Sequence, residues 1–167
     1  MVAKRERFGD FEVDLVIGAN HRQALVTINE RLSRYTMMVK VATKHTEGVT
    51  QKIIALLTPV HACVHTLTSD NGTEFTHHET VAAALGLDYY FAHPYCSWER
   101  GANENMNGLI RQFFPKKMRF ERITEHDTAR ACYLMNHRPR KCLGYRTPHQ
   151  VFYENMAALT ADPPDST

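Results

Sequence analysis

Residues 10–19, DFEVDLVIGA, alternate: Phe11, Val13, Leu15 and Ile17 fall on one side, and Glu12, Asp14 and Val16 on the other. A period of two predicts a strand with one face in a core. QALVTINE (23–30) and RYTMMVKVA (34–42) follow after short polar turns, so three consecutive strands are expected as an antiparallel meander. The period then changes. In TEGVTQKIIALLTP (46–59), Val49, Ile53, Leu56 and Leu57 recur at helical spacing, with Thr46 as the expected cap and Pro59 as the end. Val64, Thr66, Leu67 and Thr68 predict a fourth strand near 63–69, and Asn71-Gly72 a sharp turn after it. HHETVAAALGL (77–87) reads as a short helix closed by Gly86, DYYFAH (88–93) as a fifth strand, and PYCSWERG (94–101) as a loop. ANENMNGLIRQFF (102–114) reads as a helix, with further helices near 125–137 and 148–157.

Three strands, a helix, a strand, a helix, a strand and terminal helices make an α/β protein. The expected architecture is a five-stranded mixed sheet flanked by helices, the element order of a ribonuclease-H-like, retroviral-integrase-like fold. A chain of 167 residues suits one domain, expected over 1–157, with a disordered tail over 158–167 ending in ADPPDST. No apolar run approaches the roughly 20 residues that span a bilayer, and MVAKRERFGD has no apolar segment after its basic residues. Four cysteines, Cys63, Cys96, Cys132 and Cys142, lack C-x-x-C spacing and fit reduced thiols of a cytoplasmic protein. The scattered histidines likewise match no zinc pattern. Net charge is only +2, but it is unevenly spread: Trp98 to Arg146 carries 11 Lys/Arg against 5 Asp/Glu, and the rest is net −4. That division suits one face for a polyanion and another for clustered carboxylates, although a solvated helix face would give the same count.

The candidate chemistry lies in three acids. Asp70 would end the fourth strand, Asp14 lies within the first, and Glu104 opens the helix after the loop. If strands one and four are neighbours, these carboxylates converge. Two unit charges about 4 Å apart repel by roughly 4 kcal/mol at an effective dielectric near 20, so protons or divalent cations must offset them. Hard oxygen ligands favour Mg²⁺ or Mn²⁺, and two such ions suit phosphoryl transfer. Asp70 alone is ordinary turn chemistry, and Glu104 alone could simply face a helix dipole; only the combination is informative. Glu12 shares the face of Asp14, and three roles stay open: a residue supporting a ligand, an alternative ligand, or a solvent-facing residue. Asn71, next to Asp70, is a second candidate for a supporting role. Arg111 lies seven positions after Glu104, within roughly 20° of its helix face. With Arg100, Lys116, Lys117, Arg138, Arg140 and Lys141 it is a candidate DNA contact, and Trp98 could stack on a base or anchor its loop.

EVDLVIG, TSDNGTEF and HPYCSWERGANENMNGLIRQFFPK resemble, in order, the three acidic motifs of integrase-core DDE transposases. The similarity is to the insertion sequence 30 family of bacterial mobile elements, with 33 residues between Asp70 and Glu104. NHRPRKCLGYRTPHQVF (136–152) resembles that family's C-terminal signature, so the likeness runs from Arg7 to about Phe152. It departs at Phe11, where the family usually has tryptophan, and at PKKMRF, where it usually has glycine-threonine-aspartate after FPK. The resemblance implies a catalytic core with Asp14, Asp70 and Glu104 as ligands of Mg²⁺ or Mn²⁺, expected as two ions. It also implies cleavage at an element's ends and joining to target DNA by a homo-oligomer. Family members carry an N-terminal helix-turn-helix region, so the chain is expected to be an excised domain or a truncated product. Two alternatives stand beside this reading: a non-catalytic DNA-binding or oligomerising remnant, and a metal-dependent ribonuclease on the same fold.

Overall fold

The computed structural model describes residues 7–93 and 101–161, with Gly101–Glu104 as backbone alone. Strands β1 (Asp10–Ile17), β2 (Ala24–Glu30) and β3 (Thr36–Val41) form the expected meander, with Asp14 opposite Thr27 and Thr27 opposite Met38. On its other side β1 pairs in parallel with β4 (Thr66–Ser69), which pairs in parallel with β5 (Asp88–Phe91). The order is β3-β2-β1-β4-β5. Helices α1 (Thr46–Leu57), α2 (His78–Leu85), α3 (Gly101–Phe113), α4 (Glu125–Asn136) and α5 (Pro148–Ala161) complete the chain.

The alternation of β1 sorts its residues between two cores. Phe11 and Val13 pack with Ala24, Val26 and Ile28 against Val49, Ile53 and Leu57 of α1, Val81 and Leu85 of α2, and Phe152 of α5. Val16, Leu25 and Met38 meet Met106 and Ile110 of α3 and Ala131 and Met135 of α4 on the other face. Helices on both faces explain why every residue of β2 is buried. Each fully buried Leu, Ile or Phe contributes about 1.5–3 kcal/mol, so covering both faces is the main driving force.

The parallel strands and the meander share one end. The carboxyl ends of β1, β4 and β5 lie there with the β1–β2 turn and the link from β3 to α1. The opposite end carries the β2–β3 turn, where Arg34 is left-handed at φ 63. The buried Glu30 carboxylate accepts there from Gly9 N at 3.1 Å, Ser33 N at 2.7 Å and Ser33 Oγ at 2.6 Å. Helix α4 runs between the two ends. Lys40 Nζ donates to the carbonyl of Ile123 just before it, and Asn136 at its last turn exchanges hydrogen bonds with both backbone groups of Thr36.

Several local expectations need correction. Thr46 is the first residue of α1 rather than its cap: the cap position is His45, which makes no side-chain bond, and Thr46 Oγ1 donates to the Thr73 carbonyl instead. Pro59 lies inside a 3₁₀ segment, Thr58–Cys63, that follows the helix directly, a position that suits the fixed φ of proline. Further 3₁₀ turns occur at Thr73–Phe75, Phe120–Arg122 and Lys141–Leu143. Helix α5 continues through Ala161, four residues into the expected tail, because Ala157, Ala158 and Leu159 favour helix and the first proline is Pro163. Among the described residues no helix is long and apolar enough to cross a membrane.

Candidate active site

The β1–β4 register ends with Glu12 opposite Thr68, and Asp14 and Asp70 each follow two residues later along these neighbouring segments. Asp70 is the first residue after β4, at the carboxyl end of a parallel strand, where crevices form in open α/β sheets. Its Oδ1 accepts from Gly72 N at 2.9 Å, an Asx turn that holds the carboxylate over the strand end. Gly72 is needed for space as well: a Cβ there would meet the carboxylates of both Asp70 and Glu74 within 2.9 Å. Asn71 Nδ2 reaches the Ala92 carbonyl at 3.4 Å, tying this turn to the end of β5.

Asp14 lies on the face of β1 that α3 covers. Its Oδ1 accepts from Leu15 N, and its Oδ2 from Asn107 Nδ2, both at 2.9 Å. Asn107 is three residues after Glu104 on α3, so this bond brings the helix that carries Glu104 against Asp14. The side chain of Glu104, Arg100 and Trp98 lie outside what the structure describes. Among the described residues no three His, Cys, Asp or Glu converge as metal ligands. Residue typing missed Asn107, since asparagine carries no charge to attract attention. The available signal was its i+3 spacing from Glu104 on a helix already singled out.

Glu12 is 1% exposed, so the solvent-facing alternative is wrong. Its Oε1 lies 3.2 Å from Arg31 Nε, an ion pair that offsets the cost of burying the carboxylate. Arg111 is half-buried, and its guanidinium donates to the carbonyls of Ile17 at 3.1 Å and Phe114 at 3.4 Å. It therefore ties the end of α3 to the end of β1, and burial pushes its pKa below the usual arginine value. Three of its five N–H groups remain for other partners. Arg111 and Lys116 line a cavity of about 320 Å³ with Asn107 and Leu15, immediately beside Asp14. Lys116 and Lys117 are exposed.

Arg138, Arg140 and Lys141 lie elsewhere. They follow Asn136 at the end of α4 held by Thr36, the end of the sheet opposite Asp70. Arg140 is bridged to Arg146 and donates to the Met135 carbonyl. The basic third of the chain thus divides between two ends of the molecule and is not one face. The segment after α4 has its own structural logic. Gly144 and Tyr145 turn the chain with positive φ, Arg146 pairs with Glu154, and Thr147 and Gln150 cap α5 reciprocally.

No family model matches the chain. It is 45% identical over 152 residues to the transposase for insertion sequence element IS4351 of Bacteroides fragilis, covering 91% of this chain and 47% of that protein. It is 36% identical over 163 residues to transposase InsI for insertion sequence element IS30A of Escherichia coli, covering 95% of this chain and 41% of the relative. The chain thus spans less than half the length of these curated relatives. In structure it resembles the catalytic core domain of BIV integrase with a TM-score of 0.71 at 20% identity, over 91% of this chain and 98% of that one. That likeness establishes the ribonuclease-H-like fold. Along about nine-tenths of its length the chain is thus similar, at 35–45% identity, to several transposases of insertion sequence 30-type elements.

Proposed function

We propose that this chain is a catalytic domain for divalent-metal-dependent DNA strand cleavage and strand transfer, with Asp14, Asp70 and Glu104 as its catalytic acids. One observation supports the reading: Asp14 lies on β1, which pairs in parallel with β4, Asp70 directly follows β4, and the helix of Glu104 is hydrogen-bonded to Asp14 through Asn107. Carboxylate and amide oxygens are hard donors that fit Mg²⁺ or Mn²⁺. Asn107 Oδ1, buried with no hydrogen-bond partner among the described residues, is a further oxygen of that kind in the same side chain. Asp14 and Asp70, with Glu104, would hold the ions, and two is the number suited to this chemistry. Bound there, they neutralise charge on the phosphate and ease deprotonation of the attacking oxygen.

The protein's own groups supply orientation and charge. Asn107 and Leu15 N fix the Asp14 carboxylate, and Gly72 N fixes that of Asp70. Lys116, Lys117 and the remaining donors of Arg111 attract the phosphate backbone beside Asp14. Water opens the phosphodiester at an element's end and leaves a 3′-hydroxyl, which then attacks target DNA in line. Neither displacement needs a protein nucleophile. Joining two ends requires two copies, so a homo-oligomer belongs to the proposal, as does end recognition by a helix-turn-helix region outside this chain. The setting is the bacterial cytoplasm.

The test is nicking of a labelled DNA duplex with Mn²⁺, Mg²⁺ or chelator, comparing the chain with Asp70→Asn. Metal-dependent product that the variant abolishes is expected. Equal product from both proteins would remove the site, and preferential cutting of an RNA–DNA hybrid would favour a ribonuclease.

A further inference from the structure

Three cavities run in series from Asp14 across the carboxyl end of the sheet. The innermost, beside Asn107, shares Arg111 and Lys116 with a second of about 430 Å³, which adds Lys117, the turn backbone Gly18–Ala19 and His21. His21 also lines a third, of about 590 Å³, with Arg22, Lys44 and His45. The turn between β1 and β2 separates the second and third. Its position is fixed. Ala19 N donates to the Met118 carbonyl at 3.0 Å, a Cβ on Gly18 would collide with the Phe120 ring, and His21 is left-handed at φ 54.

The charge of this series is one-sided. Among the described residues no acid lines the first two cavities, and the single acid of the third, Glu121, is engaged by Asn20 and faces Arg119 at 3.6 Å. His21, Arg22, Lys44 and His45 are all exposed, and Lys44 and His45 come from the link between β3 and α1. They belong to the part of the sequence whose net charge is negative, so counting along the chain conceals them.

We propose that a polynucleotide held at Asp14 and Asp70 continues over the β1–β2 turn and is gripped at its far end by Arg22 and Lys44. This rests on the reading of the site as a DNA-processing centre and extends it to a second stretch of the substrate. Three residues of strand and two strand spacings separate Asp14 from the link to α1, roughly 15 Å, or about four to five base pairs of duplex. The reacting phosphate and the far grip therefore lie on one continuous segment of DNA.

The experiment measures binding of a fluorescent 20-base-pair duplex by anisotropy, without metal, across a series of salt concentrations. Arg22→Ala/Lys44→Ala is compared with the parent and with Arg7→Ala/Arg130→Ala, which removes two exposed charges elsewhere. Losing two phosphate contacts should make the negative slope of log K against log salt shallower by about 1.8. The control should keep the parent slope, and all three proteins should melt alike. A parent-like slope in Arg22→Ala/Lys44→Ala would overturn the path while leaving metal-dependent nicking by the parent intact. An equal drop in the control would overturn it as a general charge effect. Absence of DNA binding by the parent would overturn both the path and the function on which it rests.

Discussion

Asn107→Asp places a second carboxylate where the Asn107 amide now donates to Asp14 at 2.9 Å. At that separation two unit charges repel by about 6 kcal/mol at an effective dielectric of 20, and by about 1.4 kcal/mol in bulk water. Asp14 is half-buried and the new side chain can turn away, so the cost falls between these limits. Adding the lost hydrogen bond, the variant should be less stable than the parent by about 2–4 kcal/mol in low-salt buffer with chelator. For a chain of this length that is a fall in Tm of about 5–15 °C. Asn107→Leu, which loses the bond without adding charge, should fall by less. Divalent cations separate the two variants. Mn²⁺ should raise the Tm of Asn107→Asp more than that of the parent, because the ion relieves the added repulsion, and should raise that of Asn107→Leu no more than the parent's. Differential scanning fluorimetry over a Mn²⁺ titration measures all three. If Asn107→Asp melts with the parent in chelator, α3 does not sit on Asp14 in solution. If Mn²⁺ fails to recover its Tm, the carboxylates do not share a cation.

Asn136→Ala should cost about 2–4 kcal/mol by urea unfolding, since a 4%-exposed side chain satisfies both backbone groups of Thr36 and alanine leaves them bare; a change under about 0.5 kcal/mol would refute this clamp. Arg31→Met should cost about 2–3 kcal/mol by removing the cation that faces the buried Glu12 carboxylate, and Glu12→Leu/Arg31→Met should be more stable than that single variant. Burial raises the pKa of Glu30 above its ordinary 4.5, against hydrogen bonds from Ser33 and Gly9 that lower it. Its contribution to stability is therefore full below about pH 4.5 and is lost as pH rises through the folded value. Glu30→Gln should flatten that decline in urea midpoints measured from pH 4 to 8, and an unchanged slope would show that another group is responsible.

The five strands and their faces were legible because β1 alternates strictly and Asp14 interrupts an otherwise strand-forming segment. The same alternation put Glu12 on the face of Asp14 but could not say that it would be buried against Arg31, since that depends on tertiary packing. Arg111 illustrates the limit of helical spacing. Its angular position follows from Glu104, yet most of its geometry is decided by the Ile17 carbonyl of another element. Charge counting along the chain does not follow position in the fold. It grouped Arg138, Arg140 and Lys141 with Lys116 although α4 carries them to the opposite end, and it left out the exposed Arg22 and Lys44 near the carboxyl end of the sheet. The 3₁₀ segments have too short a period to leave a pattern, and Thr46 lost its capping role to a bond with Thr73 that only tertiary packing creates.

The central claim is that the acids of β1, β4 and α3 hold a divalent cation together. Crystals soaked in Mn²⁺ and measured at a wavelength where manganese scatters anomalously would test it most directly. The expected result is an anomalous peak between the carboxylates of Asp14 and Asp70, within coordination distance of Glu104, that disappears in crystals of Asp70→Asn. A map at saturating Mn²⁺ with no peak there, or with Asp14 and Asp70 turned away from each other, would contradict it.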